Sequence, residues 1–170
     1  METPVLKAER LTLRPLTDAD VQPLVSIIAT SGVREWWPSA GDPNRVAEEL
    51  YGDANFVIEV NGALAGWLAV TEESDPYYRH AGLDIILAPQ FQGRGLGPEA
   101  LRTAMRWLIQ ERGHHRFTID PALDNERAIR AYRAAGFRPV GVLRRHERSP
   151  AGGWRDGLLM DLLAEELAEP

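Results

Sequence analysis

Apolar and polar positions alternate over Arg10-Leu11-Thr12-Leu13-Arg14-Pro15, the period of a half-buried strand that a proline stops. Thr17 with Asp20 three residues on resembles a capped helix start, and Val21, Leu24, Val25 and Ile28 then recur at helical spacing, predicting a helix that ends before Gly32. A shorter helix is expected over Asn44 to Tyr51, capped by Asp42 or Asn44. Phe56 to Val60, Asn61-Gly62 and Ala63 to Val70 read as two strands joined by a tight turn, because Asn-Gly accepts the positive φ angles that such a turn needs. Leu83 to Ala88 is an apolar run interrupted once, by Asp84, and reads as a buried central strand ending at Pro89. Leu101, Ala104, Met105 and Leu108 mark an amphipathic helix over Pro98 to Arg112, stopped by Gly113. Beyond it the pattern predicts a strand over His114 to Ile119 and a helix over Asn125 to Ala135 closed by Gly136. Two strands follow, near Phe137 to Leu143 and Trp154 to Leu163, and then a fraying tail from Ala164 to Pro170. The order is that of a mixed α/β sheet, mostly antiparallel, flanked by helices.

Composition narrows the chemistry. A chain of 170 residues that is 44% hydrophobic fits a single domain, residues 1–170, with no repeat or linker to divide it. No apolar run has signal-peptide or membrane-spanning length, so a cytoplasmic protein with no membrane partner is expected. The absence of cysteine excludes disulfides, thiolate metal sites and a cysteine nucleophile, and four scattered histidines give no metal-ligand spacing. A formal charge of -6 argues against nucleic acid and favours cationic ligands. The expected partner is a small-molecule amine, and the expected assembly a monomer or homodimer.

Between the central strand and the long helix lies Gln90-Phe91-Gln92-Gly93-Arg94-Gly95-Leu96-Gly97. Glycines allow close backbone approach, and the N–H groups of a helix start attract phosphate. The loop lacks a P-loop lysine and the dinucleotide-fold glycine spacing, which argues against an NTPase and a dehydrogenase, and a plain strand-to-helix connection is the alternative reading. Its Gln92, Gly95 and Gly97 resemble the coenzyme A loop of the GNAT acyltransferases. Asn125 to Phe137, with Ala128, Tyr132 and Gly136, is similar to that superfamily's asparagine-to-tyrosine segment, and Leu11 to Leu16 to its first strand. The resemblance implies the GNAT fold, a sheet splayed at the acyl-CoA site, with acetyl-CoA as cosubstrate and no metal. It implies coenzyme contacts from Ile86, Leu87 and Ala88, from Gln92, Gly93, Arg94, Gly95, Leu96 and Gly97, and from Asn125. Tyr132 would protonate the departing thiolate, although an aromatic beside Gly136-Phe137 also packs well in a core.

Amide formation needs an unprotonated amine, so a carboxylate or water must take its proton. Asp84 is the first candidate, since a carboxylate inside an apolar strand is costly unless paired or functional. Glu72-Glu73-Ser74-Asp75 and Asp120-Pro121 add acidic groups, and an acidic turn is by itself an ordinary solvated loop. Glu72 to Pro76, Gly82 to Asp84, Ile119 to Arg130 and Glu35-Trp36-Trp37 resemble a narrower group, the aminoglycoside 6′-N-acetyltransferases. That resemblance implies Asp84 as base, and Asp120 with Glu72, Glu73 and Asp75 as the acceptor's counter-charges. Trp36 and Trp37 would form a wall of the cleft, or equally an exposed apolar lid. The basic segment from Arg144 to Asp156 departs from that group. Protein N-terminal or other small-amine acetylation, and noncatalytic acyl-CoA sensing, therefore remain alternatives.

Overall fold

A computed structural model of the chain describes residues 3–169. In chain order the elements are β1 (Leu6–Lys7), β2 (Thr12–Pro15), α1 (Asp18–Ile28), α2 (Pro43–Glu49), β3 (Ala54–Val60), β4 (Ala63–Glu73), β5 (His80–Leu87), α3 (Leu96–Arg112), β6 (Arg116–Ile119), α4 (Glu126–Ala135), β7 (Arg138–Arg148) and β8 (Trp154–Leu163). The strands form one eight-stranded sheet in the order β1-β2-β3-β4-β5-β6-β8-β7. Neighbours are antiparallel except β5 and β6, whose parallel pairing follows from the α3 crossover between them.

The two faces of the sheet bury two apolar clusters. Successive side chains of a strand point to opposite faces, so Phe56, Ile58 and Leu68 join Leu101, Met105 and Leu108 of α3, while Val57 and Trp67 join Leu24, Ile28 and Leu50 on the α1–α2 side. Each such side chain stabilises the fold by roughly 1.5–3 kcal/mol on burial. The β3–β4 turn has Asn61 at φ 50° and Gly62 at φ 78°, the conformation the dipeptide predicts. At the start of α1, the Asp20 carboxylate accepts hydrogen bonds from the Thr17 N–H and hydroxyl and from both Nη atoms of Arg14, all at 2.7–2.9 Å.

Three expectations are corrected. The first strand is shorter than Arg10 to Pro15, because Arg10 turns out of it to bond the start of α3. His114 does not begin β6, since its N–H donates to the Leu108 carbonyl and prolongs the end of α3. The segment from Ala164 is no frayed tail. Ala164 N–H donates to the His115 carbonyl, Glu166 pairs with Arg138 at 3.1 Å, and Leu167 packs on the core; Pro170 lies outside the described residues. No described helix is long and apolar enough to cross a membrane.

Candidate functional site

The parallel strands β5 and β6 pair only at Ala81–Phe117 and Gly82–Thr118 and then part. Beyond that point Asp84 to Leu87 line one wall of a cleft of about 810 Å³, and Ile119 to Ala122 the other. The splay leaves the β6-facing edge of β5 without a ladder partner there, so peptide groups lie open to a ligand that can pair like an added strand.

One end of the cleft is built by the loop ahead of α3. Gly93 at φ 73° and Gly95 at φ 75° both adopt left-handed conformations, which non-glycine residues rarely hold, and such alternation turns backbone N–H groups toward one concave surface. Gln92, Gly93, Gly95, Leu96 and Gly97 line the cleft, and the Gln92 amide donates to the Leu87 carbonyl at 2.9 Å, fixing the loop to the end of β5. Arg127 and Arg130 of α4 bring positive charge to the lining, and Arg127 donates to the Gln92 side-chain oxygen. This end is suited to an anionic, phosphate-bearing ligand.

The other end is acidic and aromatic. Trp36, Trp37, Glu49, Asp84, Asp120 and Glu147 line it, and Trp37 packs edge-on against Trp67 with ring centroids 5.4 Å apart. Glu49 accepts from the Trp37 indole at 2.9 Å, the Ser39 hydroxyl at 2.7 Å and Arg45 at 3.0 Å. Asp120 hydrogen-bonds His146 at 2.9 Å, and Glu147 accepts from Arg155 at 3.0 Å. A bulge in β7 aims these last two partners. The three residues between Leu143 and Glu147 face the single residue between Gly157 and Arg155 on β8, Arg145 takes φ 48°, and the His146 ring packs where a side chain on Gly157 would stand, 3.0 Å away. Arg155 also donates to the Glu35 carbonyl at 2.7 Å and lies 5.5 Å over the Trp36 ring, so it ties the Trp36 wall to the sheet.

Among the described residues, Asp84 has no hydrogen-bond or ion-pair partner. Its side chain opens onto the cleft, as a candidate base requires, and solvent reaches it there within a recess walled by protein. Burial in that recess, reinforced by Asp120, Glu147 and Glu49, pushes its pKa up to about 6. Across the cleft, Tyr132 packs at 6.5 Å centroid distance on Phe137, and burial with the nearby Asp84 and Asp120 charges holds its phenol well above its ordinary value. Tyr132 is thus protonated at neutral pH. It packs on Phe137 as an aromatic there was expected to, and it also lines the cleft.

Other predicted residues fall elsewhere. Ala88 is buried and its N–H donates to the Ala65 carbonyl, so only Ile86 and Leu87 of that group line the cleft. Arg94 turns its guanidinium over Phe91, 5.9 Å from the ring centre, and gives its carbonyl to Arg10. Asn125 lines the cleft but caps α4, accepting from the Ala128 N–H at 3.2 Å. The acidic turn does not reach the acceptor end. Glu72 is held by the buried His114 at 2.7 Å and by Arg112, Glu73 accepts from the Asp75 N–H, and Asp75 accepts from the Tyr77 N–H. None of the three lines the cleft. Glu49 and Glu147 take the places expected of them. Their sequence gives little signal, since Arg45-to-Glu49 spacing reads as an exposed helix pair and Glu147 sits in a basic run.

Comparison with known proteins fits this architecture. The chain is 28% identical over 95% of its length to a spermidine N(1)-acetyltransferase of Escherichia coli, of which it covers 91%. It is 29% identical over 79% of its length to an aminoglycoside N(6′)-acetyltransferase type 1 of Klebsiella pneumoniae, covering 77% of that enzyme. Its fold matches that of Mycobacterium smegmatis RimJ, solved in complex with CoA-disulfide, with TM-score 0.85 over 98% of this chain and 90% of that one at 22% identity. A model of the acetyltransferase (GNAT) domain matches residues 10–138. The splayed sheet, the glycine loop at a helix start and this match agree, and the chain belongs to the GNAT acetyltransferase family.

Proposed function

We infer that the chain transfers the acetyl group of acetyl-CoA to a primary amine of a cationic small molecule, with the 6′-amine of an aminoglycoside as the first candidate. Acetyl-CoA-dependent N-acetyl transfer is the activity of its family. The observation that carries the finer reading is the polarity of one continuous cleft, with glycines and two arginines at one end and four carboxylates among tryptophans at the other. Its volume of about 810 Å³ lies within the range of roughly 300–1,000 Å³ common for small-molecule sites.

The residues present fit the cosubstrate. The Gln92 to Gly97 backbone would hold its pyrophosphate, and the open edge of β5 at Ile86 and Leu87 its pantetheine. The bound thioester supplies the activated acyl carbon. Asp84, ionised above about pH 6, accepts the proton of the acceptor ammonium and leaves a nucleophilic amine. As the amine nitrogen bonds to the acyl carbon and the carbon–sulfur bond breaks, Tyr132 donates its phenolic proton to the sulfur, and the second proton shed by the nitrogen restores the phenol. Asp120, Glu147 and Glu49 hold the remaining positive charge of the acceptor, and Trp36 and Trp37 cover its apolar faces.

The test is coenzyme A release with a panel of amines. A kanamycin- or tobramycin-type drug should be acetylated, whereas its analogue with hydroxyl in place of the 6′-amine should bind without reacting. Spermidine is the second acceptor to assay, since the E. coli spermidine enzyme is similar over more of this chain than the aminoglycoside enzyme. Turnover of N-terminal peptides alone would overturn the small-molecule reading, and no turnover of any amine would return the chain to acyl-CoA sensing.

A further inference from the structure

The loop between β5 and α3 carries a structural problem. The Gln92 amide ties its first residue to β5, but the two left-handed glycines that follow bring no side chains to hold the turn, and Gly95 as the helix N-cap offers no capping group. The first bond of α3, from Glu99 N–H to the Gly95 carbonyl, is long at 3.3 Å. A cradle whose N–H groups must converge on one ligand loses affinity if those groups wander.

We propose that Arg10 is a positioning residue for the coenzyme: it clips the glycine loop from behind, so that the loop N–H groups are preset for the pyrophosphate. Arg10 lies at the turn between β1 and β2, far away in sequence. Its backbone N–H and its Nε both donate to the Glu99 carboxylate, at 2.8 and 2.7 Å, and its Nη1 donates to the Arg94 carbonyl at 2.7 Å. Glu99 is turned inward, with its side chain only 13% exposed, while that of Arg10 is 49% exposed. The guanidinium therefore touches the loop between its two left-handed glycines and also the first turn of the helix those glycines enter. A Cβ on Gly95 would stand 3.3 Å from Nη2, so the loop backbone lies directly on the guanidinium. The Arg10 backbone N–H, Nε and Nη1 all point at protein acceptors, and Nη2 lies against Gly95, so the residue acts through the loop rather than on the ligand. Arg10 does not line the cleft.

The clip rests on the coenzyme lying at this loop, and the experiment separates the two ideas. Coenzyme A affinity is measured by calorimetry for wild type, Gly95→Val, Arg10→Ala, Glu99→Ala and the Arg10→Ala/Glu99→Ala double variant, with melting temperatures as a check on folding. Arg10→Ala should raise the coenzyme Kd about tenfold, equivalent to ~1.4 kcal/mol. It should raise the acetyl-CoA KM in parallel and leave the acceptor KM and the turnover number near wild type. Glu99→Ala should also weaken binding, and the double variant should be no worse than Arg10→Ala, because both remove one device. If Arg10 instead met the phosphates directly, Glu99→Ala would free it and tighten binding, which overturns the clip. Should Arg10→Ala fail to fold, Arg10→Lys, which keeps the charge but not the fork of donors, should show an intermediate loss; wild-type affinity in that variant would also overturn it. If Gly95→Val abolishes binding while Arg10→Ala leaves Kd unchanged, the coenzyme site stands and the clip falls. If neither change moves Kd, the coenzyme lies elsewhere and both ideas fall.

Discussion

Asp84 differs from the other carboxylates of the cleft in its surroundings: Glu49, Asp120 and Glu147 each touch a basic side chain, and Asp84 touches none. A base must hold a proton weakly enough to release it and strongly enough to take it, and a value near 6 suits both tasks at neutral pH. The turnover number should fall as pH drops through about 6, where Asp84 becomes protonated. Asp120→Asn removes a charge that raises this value, so the acid limb of the profile should move to lower pH, which a pH–rate titration of that variant measures. Asp84→Asn should abolish the limb and depress turnover by something like 10²–10⁴-fold. A limb unchanged in Asp84→Asn would assign the base elsewhere. Tyr132 sits on the opposite side of the same chemistry, with its proton held more firmly than usual by burial and by the two aspartates. Tyr132→Phe keeps the packing on Phe137 and removes only the proton, so turnover should fall while coenzyme affinity and melting temperature stay close to wild type.

At the scale of elements, the start of α1 depends on one buried carboxylate. Asp20 takes both Nη atoms of Arg14 and both donors of Thr17, joining β2 to the helix, and the Arg14 contact chiefly holds its pKa well below the usual carboxylate range. A carboxylate depressed in the folded state adds stability that is complete above its unfolded value of about 3.9 and is lost as pH falls toward the folded value. Asp20→Ala should cost about 2 kcal/mol at neutral pH, since it removes the hydrogen bonds to Thr17 and Arg14 while Arg14 keeps its pair with Glu59 at 2.8 Å, and the deficit relative to wild type should shrink in strongly acidic denaturant titrations. The helix itself was legible from Thr17, Asp20 and the Val21, Leu24, Ile28 spacing, as were the Asn61-Gly62 hairpin and α3, because local periodicity and turn chemistry decide those elements. The splay between β5 and β6 came only from the family resemblance, since nothing local tells Gly82 to be the last paired residue. The candidate site divides in the same way. Gln92, Gly93, Gly95, Gly97, Asp84 and Tyr132 stand on one strand, one helix start and the second half of α4, whose order along the chain was read from the sequence. Glu72 misled because its charge says nothing of the buried His114 that meets it from the end of α3, and Glu147 was hidden because its direction depends on a bulge two residues wide.

For the molecule as a whole, the decisive feature is that opposite charges occupy the two ends of one cleft in a chain of formal net charge -6. The proposed cationic acceptor would be drawn by the whole field and then by the carboxylates at its end. On the proposed reading the coenzyme, a polyanion, would approach against the field and be held by short contacts to backbone N–H groups and by Arg127 and Arg130. Salt screens exposed charges over about 8 Å at 0.15 M and about 3 Å at 1 M, so it removes long-range attraction first. The acceptor KM should therefore rise steadily with added salt, while the acetyl-CoA KM changes less, because weaker arginine contacts are offset by weaker repulsion from the net charge. The turnover number should hold, since the chemistry runs inside the walled recess where Asp84 sits. Glu147→Gln can still accept the Arg155 hydrogen bond but removes one negative charge, and should both raise the acceptor KM in low salt and flatten its salt dependence. Steady-state kinetics across a salt series, run on wild type and this variant with the best acceptor from the amine panel, make the comparison. An acceptor KM indifferent to salt in the wild type would mean that shape and the tryptophan walls, rather than charge, select the amine.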